Sequence, residues 1–83
     1  MTVEQINYKY SKYNEYYVIG FNLCNKEAKP KLVKTVYGNY EAVRLCNELN
    51  KRDKGQFIYT DVRKFGATAK MIEELKEIYT KNF

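Results

Sequence analysis

A chain of 83 residues with 45% hydrophobic and 30% charged side chains has the mix of a folded domain, and at this length it has room for one core and not two. No apolar run approaches the roughly 20 residues that span a bilayer, and Met1 to Gln5 lacks the basic and apolar parts of a secretory leader. Residues 1–83 are therefore expected to form a single small α+β domain in the cytoplasm, with no membrane partner and with Cys24 and Cys46 as reduced thiols.

In chain order, Ile6, Tyr8 and Tyr10 alternate with Asn7, Lys9 and Ser11, which predicts a half-buried strand from about Val3 to Tyr10. Ser11 to Glu15 is polar and reads as a hairpin turn. A second strand follows, with Tyr17, Ile19, Phe21 and Leu23 on its apolar face and Tyr16, Val18, Gly20 and Asn22 on the other. Cys24 to Pro30 reads as a loop and Lys31 to Tyr37 as a third strand. The facing of that strand is ambiguous. Val33 and Tyr37 are taken as inward, which leaves Lys34 outward.

Asn39 is a suitable N-cap for a first helix, whose apolar stripe is Ala42, Leu45, Cys46 and Leu49 and whose outer face pairs Glu41, Arg44, Glu48 and Arg52. Gly55 marks its stop. Gln56 to Phe65 is dense in β-branched and aromatic residues and predicts a fourth strand, with Ile58 and Val62 on one face. Thr68 is positioned to cap a second helix carrying Met71, Ile72, Leu75, Ile78 and Tyr79 at helical spacing.

The order β-β-β-α-β-α predicts a two-layer α+β fold: a mostly antiparallel four-stranded sheet with both helices packed on one face. The expected core is Ile6, Tyr8, Ile19, Phe21, Leu45, Cys46, Leu49, Ile58, Val62, Ile72, Leu75 and Ile78.

No catalytic constellation is legible. Histidine, the side chain most used for proton transfer near neutral pH, is absent, and two cysteines without histidine do not make the usual structural zinc set. The four glycines are scattered singly, with no phosphate-binding loop. The chain is expected to be no enzyme and to need neither metal nor cofactor.

Charge is the feature above background. Met1 to Phe65 carries 12 Lys or Arg against 7 Asp or Glu, whereas Gly66 to Phe83 is balanced at 3 against 3. With both helices on one sheet face, the other would expose Asn7, Lys9, Tyr16, Asn22, Lys34, Tyr59 and Arg63. Cations that neutralise phosphates, tyrosines that stack on bases and asparagines that read base edges would suit nucleic acid or a nucleoprotein. A second basic patch is expected from Lys26, Lys29, Lys31, Lys51, Arg52 and Lys54.

The alternative is a protein-binding inhibitor or adaptor acting on a protein that handles nucleic acid, since tyrosine-rich surfaces favour protein contacts. An exposed edge strand also leaves room for a homodimer. The bias toward Lys, Asn, Tyr and Ile, with nine tyrosines and no tryptophan, suggests an AT-rich genome such as that of a low-GC bacterium, its phages or mobile elements.

Overall fold

The computed structural model describes residues 14–81. In chain order its elements are β1 (Glu15–Asn22), β2 (Lys31–Tyr37), α1 (Asn39–Arg52), β3 (Phe57–Arg63) and α2 (Ala69–Thr80). The fold is α+β, with an antiparallel sheet in the order β2-β1-β3. Among the described residues the sheet has three strands where four were expected; the first expected strand, Val3 to Tyr10, lies outside them.

The hairpin turn expected over Ser11 to Glu15 lies largely outside the described residues as well. Both edges of β1 are hydrogen-bonded, one to β2 and the other to β3. Because β2 and β3 both run antiparallel to β1, they are parallel to each other, and α1 is the crossover between them.

The two helices lie on opposite faces of the sheet, not on one. Tyr16 and Val18 of β1 and Tyr59 of β3 share a buried cluster with Ala42, Cys46 and Leu49 of α1. On the other face, Ile19, Phe21 and Val62 pack with Ile72 and Leu75 of α2. A strand covered on both sides must be apolar on both, and β1 is: Val18, Ile19 and Phe21 are all buried.

In β2 the register shifts at a bulge opposite Val18 and Ile19. Lys31 is in register with Gly20 and Lys34 with Val18, so the two lysines share the α1 face, although a regular strand would separate them. Leu32 pairs with Ile19 and Thr35 with Tyr17, on the α2 face. The inward facing expected for Val33 and Tyr37 is not seen: both are exposed, while Val36 packs on the α1 cluster.

Of the expected core, Ile6 and Tyr8 lie outside the described residues; Ile19, Phe21, Cys46, Leu49 and Val62 are buried. Leu45, Ile58, Ile72 and Leu75 pack half-buried against it. Ile78 is 66% exposed, a correction with a geometric cause. Ile72, Leu75 and Tyr79 at i, i+3 and i+7 face the sheet, whereas Met71 and Ile78, seven apart, share a flanking stripe. The Tyr79 ring stacks on Phe21 at 6.1 Å between centroids.

The α2 start is as expected, with the Thr68 hydroxyl accepting from the Met71 N–H at 3.2 Å. The α1 start is not. Gly38 occupies the cap at φ 96°, a left-handed conformation open to glycine, and Asn39 is the first helical residue. The Asn39 amide instead donates to the Asp61 carboxylate across to β3, at 3.3 Å.

Candidate functional site

The described residues of the expected sheet-face site are not brought together on one open face. Asn7 and Lys9 lie outside the described residues. Tyr16 and Tyr59 are each 7% exposed beneath α1, so neither ring is offered to a base. The Arg63 guanidinium sits 5.8 Å over the Tyr16 ring and donates to its hydroxyl at 3.2 Å. Asn22 lies at the opposite end of β1, where its side-chain oxygen accepts from the N–H groups of Cys24 and Asn25 at 2.8 and 3.0 Å. It shapes a turn. Lys34 is exposed on the α1 face of the outer strand β2. The described residues of this set are thus spread between two ends, an outer strand and a buried layer, because the face expected to be open is covered by α1.

The second basic patch fares differently. The Leu23 N–H donates to the Gln56 carbonyl at 2.9 Å, and the Cys24 Sγ lies 4.0 Å from the Gly55 carbonyl oxygen. These contacts hold the β1–β2 loop against the turn between α1 and β3. Lys26, Lys29 and Lys31 are thereby brought to the same end of the sheet as Lys51, Arg52 and Lys54. All six are exposed.

Within this end Arg52 is tied to a neighbour. Its Nε and Nη2 donate to the two oxygens of Asp53 at 3.0 and 2.8 Å, and Asp53 also accepts from the buried Tyr59 hydroxyl. The Arg52 guanidinium first, and the Tyr59 hydroxyl second, hold the Asp53 carboxyl at about 2, with Lys31 adding a smaller attraction. The same contact raises the Arg52 pKa. Lys26, Lys29, Lys31, Lys51 and Lys54 make no ion pair among the described residues. Five exposed lysines therefore stand around one neutralised pair, with Glu27 as a further carboxylate in the loop.

Lys26 also borders an open cleft of about 470 Å³ with Glu77, Ile78, Thr80 and Lys81, where the C-terminal turn of α2 reaches the same end. At the far end, Glu15 accepts from Lys64 at 3.2 Å, and hydrogen bonds from Tyr37 and then Lys64 lower its pKa. Tyr40 and Phe65 are exposed there, where β2 runs into α1 and β3 into Gly66.

The thiols differ in surroundings. Cys24 is exposed; Cys46 is buried, and burial, with Asp61 nearby, pushes its thiol up to about 11, so that it is protonated at neutral pH. Among the described residues no group of three or more acidic, cysteine or histidine side chains is placed to hold a metal ion, and no helix is long and apolar enough to cross a membrane.

Two features of the surface have no clear signal in the sequence. The β2 bulge carries no residue signature, and Asn50, which contacts the backbone of β3, looks in sequence like any polar residue near a helix end. No family model matches the chain, and neither a curated protein nor a solved structure matches it.

Proposed function

We propose that the protein is a non-enzymatic binding protein that engages the phosphate backbone of nucleic acid through its basic end. The observation that supports this is the convergence of Lys26, Lys29 and Lys31 with Lys51 and Lys54, without ion-pair partners among the described residues. Lysine is a strongly hydrated point charge on a flexible stem, suited to phosphate neutralisation and unsuited to fixed base reading. Binding is therefore expected to be weakly sequence-selective. Arg52, paired with Asp53, is expected to contribute less than the lysines.

Fluorescence anisotropy with a short duplex and a single-stranded oligonucleotide at low salt tests this reading. Binding that weakens with a log–log salt slope of roughly −0.9 per phosphate on the duplex, or about −0.7 on the single strand, supports it. No affinity at low salt rejects it.

A second reading, a phage- or mobile-element-type inhibitor or adaptor of a host protein that handles nucleic acid, draws on Tyr40 and Phe65, which are 77% and 52% exposed. Large exposed aromatics are the usual anchors of protein interfaces. Tyr16 and Tyr59 do not serve it, since both are core. Loss of a co-purifying host protein on Tyr40→Ala or Phe65→Ala, in a protein with no oligonucleotide affinity, selects this reading.

A further inference from the structure

The two edges of the sheet are not equivalent. On β3 the outward-facing backbone is already taken at Tyr59: the Asn50 side chain donates to the Tyr59 carbonyl at 3.2 Å and accepts from the Tyr59 N–H at 2.8 Å. One amide thus makes both bonds that a neighbouring strand would make. Two residues earlier, the Phe57 N–H donates to the Asp53 carbonyl at 3.1 Å. From Phe57 to Tyr59 the edge is closed by α1 and the turn that follows it.

On β2, no described residue pairs with the outer edge from Lys31 to Val36. That edge is also two-sided. Lys31 and Lys34, brought to one face by the bulge, are exposed beside α1. On the α2 face Leu32, 55% exposed, borders a cleft of about 120 Å³ with Tyr17, Ile19, Pro30 and Ile72.

We propose that the outer edge of β2 accepts an extended segment of a partner protein in which acidic residues alternate with apolar ones. Backbone hydrogen bonds from β2 supply the attachment, as in strand addition generally. Alternate side chains of the added strand point to opposite faces. On one face carboxylates meet Lys31 and Lys34; on the other an aliphatic side chain enters the cleft beside Leu32. The charge pattern selects this occupant over a second copy of the chain, because two β2 strands paired through their centres would set lysine against lysine, which is unfavourable.

Lys31 also belongs to the basic end, so the test separates the two readings by Lys34 and by the backbone of β2, which the basic-end reading does not use. A labelled peptide of about eight residues, a usual strand length, with Glu alternating with Val or Leu, is titrated into the full chain. Saturable binding is expected, with slower amide exchange from Leu32 to Val36. The Lys31→Glu/Lys34→Glu variant should weaken it by about tenfold or more, the effect of removing two exposed ion pairs and adding repulsion. Both lysines are exposed, so the variant keeps its fold; Lys26→Ala/Lys51→Ala/Lys54→Ala should leave the peptide affinity unchanged.

The decisive probe is the same peptide N-methylated at alternate residues, which keeps the charges and removes the backbone donors on one edge. Loss of binding on methylation upholds strand addition. Equal binding overturns it, leaving charge attraction alone. The proposal is likewise overturned if a duplex oligonucleotide displaces the peptide from this edge with the same dependence on Lys31 and Lys34, or if light scattering shows that the free chain pairs with itself through β2.

Discussion

Gly20 and Tyr59 illustrate how closely the α1 layer is fitted. They are paired across β1 and β3, and a Cβ on Gly20 would lie 2.8 and 3.1 Å from two carbons of the Tyr59 ring. The ring has little freedom to give, because its hydroxyl is tied to Asp53 and its backbone to Asn50. Gly20→Ala is therefore expected to destabilise by about 1–3 kcal/mol, the usual cost of overpacking, as read from urea unfolding. Asp53 links this layer to pH. Its carboxyl is held at about 2 in the folded chain, against about 3.9 in an unfolded one. The stabilisation is thus fully present above pH 4 or so and is lost as pH falls toward 2. Asp53→Asn should lower the urea midpoint at pH 6, with the difference from wild type closing near pH 2; a constant difference would show that the ionised carboxylate is not what stabilises.

At the scale of elements, the periodic signals locate all five described elements, and local chemistry places the Thr68 cap. Facing is harder to read. Two amphipathic helices and one strand apolar on both sides are compatible with helices on one face or on two, and Tyr16, Val18 and Gly20 opposite Tyr17, Ile19 and Phe21 are the residues that hold the answer. The bulge in β2 is invisible in the sequence because it depends on register, which no single strand specifies. In α2 the apolar spacing is ambiguous between two stripes. Leu49→Ala, which opens a cavity under α1, should cost about 2–5 kcal/mol, whereas Ile78→Ala should stay within about 0.5 kcal/mol as an exposed substitution does. Comparable destabilisation at the two sites would contradict the observed facing.

For the whole molecule, the clusters of lysines are legible as composition, but their meeting place is not. Lys26 and Lys51 are far apart in sequence, and the pairing of Asn22 with Phe57, with the contacts of Leu23 with Gln56 and Cys24 with Gly55, sets them at one end. The face expected to bind is instead a core, because α1 crosses it on the way from β2 to β3. Among the described residues, what stays exposed includes a cationic end and the unpaired edge of β2, each suited to a different kind of contact. The basic end is tested most directly by the salt dependence of duplex binding in the wild type and in Lys26→Ala/Lys51→Ala/Lys54→Ala. Every phosphate that a removed lysine no longer neutralises should reduce the log–log slope by about 0.9, so the triple variant is expected to bind more weakly with a slope flatter by about 2–3. An unchanged slope and affinity in that variant would contradict the account.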